Sequence, residues 1–237
     1  MKNKEVHILC TRSIEQSFIE KAALHGVIID ALSFISIRAV TNIDTRNQIL
    51  EVCNREEVVV FSSVNAVDAV AGQLGNKKPS WKIYCVGKQT ARRAAKMFPD
   101  SVIISYADYG TALAPMIITD AVRSLTFFCG NLRRPELPEI LQKHQVAITE
   151  IEVYTTELTP HKCSREYDGV IFFSPSAVQS FFSVNNVSPH STLFAIGTTT
   201  ARSIEQYASN KVITTDAPGK QQLIELVIGH FQHINQN

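Results

Sequence analysis

Short apolar runs alternate with longer amphipathic stretches along the chain. The runs are rich in valine, isoleucine and phenylalanine, which favour strands, and helical periodicity follows most of them. Such alternation is typical of α/β proteins with parallel sheets. The predicted strands are residues 6–10, 27–29, 58–61, 82–86, 102–105, 125–129, 146–154, 169–173, 192–196 and 211–214.

The first predicted helix carries its own start and stop signals. Ser13 is predicted to cap this helix, with Gln16 three positions later as its capping-box partner. Ile14, Phe18 and Ala22 follow at helical spacing and predict one apolar face. Gly26 is predicted to end the helix before the next strand.

An internal repeat links the two halves of the sequence. The segment VFSSVNAV at 60–67 matches IFFSPSAV at 171–178, and VGKQTAR at 86–92 matches IGTTTAR at 196–202. The two matches keep nearly the same spacing along the chain. The sequence therefore contains two copies of one structural unit.

A third match occurs in a different order in the two copies. The segment LCTR at 9–12 parallels FCGN at 128–131, and a helical stretch follows each of them. This element comes first in one copy and last in the other. That order predicts one domain built from both parts of the chain, with the second domain inserted into it.

The domain boundaries follow from this order. The first domain is predicted to comprise residues 1–35 and 159–237, and the inserted domain residues 40–151. The connections at 36–39 and 152–158 are rich in strand-forming residues and lack glycine. They are predicted to be two extended strands rather than a flexible tether.

The repeated motifs place hydroxyl side chains near helix N-termini. Ser63, Ser174, Thr90 and Thr200 each lie where a predicted strand gives way to a helix. Unpaired N–H groups and the helix dipole favour anions there, and ligands of open α/β sheets bind beyond the carboxyl ends of strands. Serine and threonine are also ordinary N-cap residues, so simple capping remains the alternative at each position.

Composition excludes several classes of protein. The formal net charge of +1 argues against a nucleic-acid-binding face, which needs clustered basic residues. No apolar run is long enough to span a bilayer, and the N-terminal residues lack the apolar core of a signal peptide. We expect a cytoplasmic protein.

Familiar cofactor and metal motifs are missing. The five cysteines are scattered without a C-x-x-C pair, which predicts buried thiols rather than disulfides or a zinc site. His161 and Cys163 are the one pair with a metal-like spacing, but the flanking residues indicate an exposed loop. Neither a dinucleotide-binding fingerprint nor a serine-hydrolase elbow is present.

Tyr154 is the side chain that we single out for chemistry. It ends an apolar strand at the point where the chain is expected to cross between domains. A phenol at that point can donate a proton to a ligand. The alternative is a structural aromatic anchor.

The repeated segments and their neighbours together resemble the uroporphyrinogen-III synthase family. They occur in the family's order and span most of the chain. Val64 stands where family members often carry proline, and Pro175 keeps that proline in the other copy. The matching segments are residues 61–67, 86–91, 129–138, 153–156, 172–178 and 195–201.

The resemblance implies a fold and a reaction. It implies two similar three-layer, flavodoxin-like α/β domains with parallel sheets, joined by a two-stranded β-ladder, with the active site between them. The implied substrate is hydroxymethylbilane, a linear tetrapyrrole polyanion that loses water and closes through a spiro intermediate with its terminal pyrrole inverted. The implied enzyme is a lyase of haem biosynthesis that uses neither a metal nor an organic cofactor.

The resemblance also implies roles for particular residues. Tyr154 is the candidate general acid. The expected partners are the substrate and, through a transient handover, hydroxymethylbilane synthase; we expect a monomer that binds neither nucleic acid nor membranes. A non-catalytic tetrapyrrole- or anion-binding protein is the alternative function. The candidate substrate-binding residues are Arg12, Ser63, Lys88, Thr90, Gly130, Asn131, Ser174, Gly197, Thr199 and Thr200.

Overall fold

The structure is a computed structural model that describes residues 5–215 and 219–235. Residues 1–4, 216–218 and 236–237, which the predicted first domain includes, lie outside the described residues. The chain divides into two compact units. Unit 1 comprises Met1–Ser36 and Glu157–Asn237, and unit 2 comprises Ile37–Thr156.

Strands and helices alternate along the described residues. The strands are β1 (Val6–Cys10), β2 (Val27–Ala31), β3 (Ile35–Ala39), β4 (Val58–Phe61), β5 (Lys82–Val86), β6 (Val102–Ala107), β7 (Ser124–Gly130), β8 (Ala147–Leu158), β9 (Gly169–Phe172), β10 (Thr192–Ala195) and β11 (Val212–Thr214). The helices are α1 (Gln16–Ala23), α2 (Ile43–Cys53), α3 (Val64–Leu74), α4 (Lys88–Met97), α5 (Gly110–Thr119), α6 (Glu136–Lys143), α7 (Pro175–Phe182), α8 (Thr198–Ile204) and α9 (Lys220–Asn235). The prediction of an α/β fold with parallel strands is confirmed.

Unit 1 contains a parallel sheet with the strand order β11-β10-β9-β1-β2. Successive residues of β1 point to opposite faces of this sheet, as strand geometry requires. Ile8 packs in an apolar cluster with residues of α1 and α9, whereas Leu9 packs in a second cluster with residues of α7 and α8. The sheet is therefore covered by helices on both faces.

Unit 2 contains a six-stranded sheet with the order β3-β8-β7-β4-β5-β6. One apolar cluster joins this sheet to α2, α3 and α4, and another joins it to α5 and α6. Phe61 lies at the centre of the first cluster, and its ring centroid is 5.2 Å from that of Phe128 and 5.5 Å from that of Phe98. Trp81 completes this aromatic group and donates its indole N–H to the Val52 carbonyl at 3.0 Å.

The two sheets have corresponding strand orders. The order β8-β7-β4-β5-β6 in unit 2 parallels β2-β1-β9-β10-β11 in unit 1. The repeated segments occupy matching places. One begins within β4 and its copy within β9, while the other begins at the last residue of β5 and its copy directly after β10. Strand β1 corresponds to β7, as the third sequence match requires.

The start of α1 differs from the prediction. The helix begins at Gln16 and its N-cap is Glu15, whose side chain makes no capping hydrogen bond. Ser13 is not the cap, because its N–H donates to Ser33 Oγ at 3.2 Å and its own hydroxyl lies 3.2 Å from the same atom. The capping-box pattern is local, and here a more distant partner binds the serine.

The connections between the predicted domains are strands. Strands β3 and β8 are hydrogen-bonded neighbours, and the boundaries between the two units fall within them. Strand β8 continues to Leu158 and so runs through the predicted connection at 152–158. No helix in the described part of the chain combines the length and apolar character that a membrane crossing requires.

Three cysteines form part of the cores. Cys10, Cys85 and Cys129 are buried free thiols at or next to the last residues of β1, β5 and β7. Burial raises the pKa of Cys10 and of Cys129 to about 11 and that of Cys85 to about 12, because the charged thiolate is poorly solvated there. These side chains behave as small apolar residues.

We predict that the free energy of unfolding falls as the pH rises above about 9, the ordinary thiol value. The folded chain keeps the buried thiol protons that the unfolded chain loses, so this contribution is complete below that value and disappears as the pH rises through the raised pKa values. Urea unfolding at about pH 8 and about pH 10.5 measures the effect. Cys85→Ala is the control, and an equal decrease in this variant and in the wild type would contradict the prediction.

Candidate functional site

The candidate site in unit 2 lies at the carboxyl edge of its parallel sheet. Strands β8, β7 and β4 are neighbours, so the residues at their carboxyl ends come together. Tyr154 lies on β8, Gly130 ends β7, and Ser63 follows β4. Three segments that are far apart in the sequence thus contribute to one place.

Ser63 is the N-cap of α3 and has extended backbone angles, with φ −167° and ψ 166°. Its Oγ accepts a hydrogen bond from the Ala66 N–H at 3.2 Å, which satisfies one of the unpaired donors of the helix start. The same hydroxyl donates to the phenol oxygen of Tyr154 at 3.0 Å. Both the donor and one acceptor position of Ser63 are therefore occupied.

The ring of Tyr154 packs directly against the backbone of Gly130. A Cβ atom at position 130 would lie 2.5 Å and 2.9 Å from the two Cε atoms of that ring, which is too close for any side chain. The β7–β8 register shifts beside this point, because Cys129 pairs with Glu152 while Gly130 pairs with Tyr154. Such an irregularity re-aims a side chain, and here it accompanies the seating of the phenol over the glycine.

Asn131 ties the turn after β7 to the strand that carries Tyr154. Its side-chain amide donates to the Thr156 carbonyl at 3.2 Å and accepts from the Thr156 N–H at 2.8 Å. Its backbone N–H donates to the Tyr154 carbonyl at 3.3 Å. These hydrogen bonds hold β8 in place at the phenol and two residues beyond it.

The start of α4 is built differently. Gly87 is the N-cap and has φ +92°, a conformation that favours glycine. Lys88 is exposed at the first helical position, while Thr90 is only 4% exposed and belongs to the core. The lysine side chain can reach a ligand, whereas the threonine is almost fully enclosed by protein.

Unit 1 repeats these turns. Ser174 caps α7 with φ −161° and ψ 156°, and its Oγ accepts from the Ala177 N–H at 3.2 Å. Val64 and Pro175 are the first residues of their helices, so the missing proline leaves the turn unchanged. The Val64 backbone adopts the same helix-starting conformation without the ring of proline.

The remaining candidates in unit 1 follow β10 and β1. Gly197 is the N-cap of α8, Thr199 is half-buried, and Thr200 is 3% exposed. Arg12 is exposed two residues after the end of β1, and its guanidinium carbon lies 5.2 Å from the centre of the Phe173 ring. Thr11 before it is buried and donates to the Ile171 carbonyl at 2.8 Å.

The structure thus brings Tyr154, Ser63 and Gly130 into contact, with Asn131 supporting them. Ser62 was not singled out by sequence reasoning, although it adjoins the cap. Its Oγ is shielded from solvent and has no hydrogen-bond partner among the described residues. The serine pair that directly follows a buried strand is the signal that could have indicated it.

Two cavities in the described part of the chain are lined by other residues. A cavity of about 640 Å³ is lined by residues between 162 and 191, and one of about 380 Å³ includes Tyr84 and Asp120. Within residues 5–215 and 219–235, no group of three or more His, Cys, Asp or Glu side chains could hold a metal ion. His161 and Cys163 accordingly belong to no such group.

Comparison with known proteins identifies similar sequences and folds. The family described as uroporphyrinogen-III synthase HemD matches residues 16–225. No curated protein matches the chain.

Solved structures share the fold across nearly the whole chain. A mutant uroporphyrinogen III synthase from Thermus thermophilus is 13% identical with a TM-score of 0.73, covering 98% of this chain and 100% of that one. A uroporphyrinogen-III synthetase from Helicobacter pylori is 16% identical with a TM-score of 0.65, covering 95% and 99%. At these identities the likeness concerns the fold alone.

We predict that Gly130→Ala displaces the Tyr154 ring and destabilises the protein by about 1–3 kcal/mol, the usual cost of overpacking. Thermal unfolding measures the loss, and a crystal structure of the variant shows the ring position. Gly72→Ala is the matched control, because a Cβ atom there would meet nothing within 4 Å and the residue lies inside α3. Equal stability of the two variants, with the ring unmoved, would contradict the prediction.

Proposed function

Because the chain belongs to the uroporphyrinogen-III synthase family, we propose that Tyr154 is the acid that initiates ring closure of its substrate. The enzyme cyclises and dehydrates hydroxymethylbilane to uroporphyrinogen III, with inversion of ring D, in haem biosynthesis. The family defines the reaction. The geometry of unit 2 supports the assignment of the residue.

The first step needs a proton donor. Hydroxide is a poor leaving group, so the hydroxyl of hydroxymethylbilane must be protonated to leave as water. The phenol of Tyr154 can supply that proton. The pyrrole that forms the new carbon–carbon bond later releases a proton as it regains aromaticity, and this proton restores the phenol. The reaction therefore releases one water and consumes no net proton.

A phenol fixed at the carboxyl edge of the sheet is the observation that carries this proposal. Ser63 holds its oxygen by a hydrogen bond of 3.0 Å, and Gly130 leaves room for its ring. A half-buried group held in this way is already oriented before the substrate arrives. Orientation is most of the task, because the substrate also cyclises unaided to the wrong isomer.

The turns around the sheets are proposed to bind the carboxylates of the substrate. Lys88 and Arg12 are exposed and supply positive charge. The N-terminal turns after Ser174 and Gly197 offer backbone N–H groups, which favour anions. Such groups explain how a chain with a formal net charge of +1 can hold a polyanion.

Four further candidates take narrower roles. Thr90 and Thr200 are nearly fully buried, so they are proposed to act through the shape of their turns and not through free hydroxyls. Thr199 is half-buried and is proposed to contact substrate directly. Asn131 is proposed to support β8, because its amide is hydrogen-bonded to Thr156.

We also propose that the domains have a flavodoxin-like architecture. The order β2-β1-β9-β10-β11 follows the 2-1-3-4-5 pattern of flavodoxin-like sheets, which supports that architecture for unit 1. Strands β3 and β8 are proposed as the two-stranded ladder between the domains. We further propose that the protein works as a monomer and receives its short-lived substrate from hydroxymethylbilane synthase.

The proposed activity is tested by product analysis. Hydroxymethylbilane is generated with its deaminase, the protein is added, and the oxidised products are separated by chromatography. A predominance of type III isomer is expected. Type I isomer alone from the folded protein, together with retained binding of the tetrapyrrole, would instead favour a non-catalytic binding protein.

We predict that Tyr154→Phe lowers kcat about 10²- to 10⁴-fold while the fold is retained, because the variant lacks the proton that the leaving hydroxyl needs. The share of type III product should fall as spontaneous cyclisation takes over. Tyr207→Phe is the control, since that ring is 48% exposed and stacks on Phe182 in unit 1. Unchanged turnover in Tyr154→Phe would remove Tyr154 from the mechanism.

A further inference from the structure

We infer that Ser63 acts on the reaction through Tyr154, as a positioning residue, and not by binding a substrate carboxylate. The inference rests on the proposed role of Tyr154. The sequence suggests a different role for Ser63, in which its hydroxyl binds a substrate carboxylate at a helix N-terminus.

The hydrogen bonds of Ser63 carry this inference. A serine hydroxyl has a single proton to donate, and Ser63 donates it to the phenol oxygen of Tyr154 at 3.0 Å. A carboxylate only accepts hydrogen bonds. Ser63 would therefore have to release Tyr154 before it could bind a substrate carboxylate.

The direction of the hydrogen bond determines where the phenol proton points. Because the Tyr154 oxygen accepts from Ser63, its own O–H is directed to another acceptor, and in the complex that acceptor is the leaving hydroxyl. The Ala66 N–H donates to Ser63 Oγ at 3.2 Å from the first turn of α3. This chain of donors polarises each successive O–H and strengthens the last one as a donor.

The internal repeat provides a second serine cap, Ser174, that can be compared with Ser63. Ser174 caps α7 with the same geometry, and its Oγ accepts from the Ala177 N–H at 3.2 Å. Thr11 follows β1 where Gly130 ends β7, so the glycine that seats the phenol in unit 2 is replaced in unit 1. Two equivalent caps therefore exist, and Ser63 is the one that donates to Tyr154.

A double-mutant cycle tests the inference. The variants are Ser63→Ala, Ser63→Thr, Tyr154→Phe and Ser63→Ala/Tyr154→Phe, with kcat and KM measured for hydroxymethylbilane and melting temperatures measured for all. Ser63→Ala is expected to lower kcat about tenfold with little change in KM, since one hydrogen bond to the acid is lost. Ser63→Thr should restore kcat because it keeps both the hydroxyl and the cap. In the Tyr154→Phe background, Ser63→Ala should have no further effect on kcat.

Ser174→Ala is the matched control for the loss of a cap. It should lower the melting temperature about as much as Ser63→Ala does, because the same capping bond is lost. Its kinetic effect, measured with and without Tyr154→Phe, should be independent of Tyr154. That contrast distinguishes a cap that only stabilises its helix from one that acts through the phenol.

Each other outcome has a defined meaning. If Tyr154→Phe impairs turnover and Ser63→Ala adds its full effect to it, or raises KM alone, Ser63 binds substrate and only this inference fails. If Tyr154→Phe keeps full turnover, the proposed acid role fails. In that case a lowered kcat in Ser63→Ala would overturn the inference as well, because Ser63 would act by another route.

Discussion

The close approach of Tyr154 to the backbone of Gly130 is the constraint on which the candidate site depends. The ring occupies the volume that a side chain at position 130 would fill. The register of β7 and β8 shifts beside this contact, and Asn131 links the two strands there. Only with the ring seated there does its oxygen come within reach of Ser63. The position of one phenol thus depends on a missing Cβ atom, an irregular strand pair and a helix cap.

Much of the fold could be predicted from local patterns. The β-rich runs and the repeated segments predict most strands to within a few residues, because buried strands of parallel sheets are short and almost wholly apolar. Ser13 shows where this reasoning fails. Its capping pattern is complete within four residues, yet Ser33, twenty positions away, takes its hydrogen bonds. A local motif indicates only which helix cap is favoured, and a hydrogen bond to a residue distant in sequence can replace that cap.

The candidate site could be predicted only in outline. Serine after a buried strand indicates a cap, and both Ser63 and Ser174 are caps. Only one of these caps forms a hydrogen bond with a tyrosine. The strand order and the β7–β8 register determine which one does, and neither can be inferred from residue types alone. Thr90 and Thr200 match the same sequence pattern but are buried. Both threonines are the third residue of their helices, and both side chains are buried. The shared sequence motif does not indicate this burial.

The strand order also governs how this chain can fold during its synthesis. Strand β1 is an interior strand of its sheet and lies between β2 and β9. Its partner β9 follows only after the whole of unit 2 has been made. Unit 2 is continuous in sequence, so its core can form as soon as it has left the ribosome. Strand β1, by contrast, has an unpaired edge while more than a hundred further residues are synthesised. Folding of unit 1 is therefore the late step, and the apolar strand β1 keeps an unpaired edge until β9 has been synthesised.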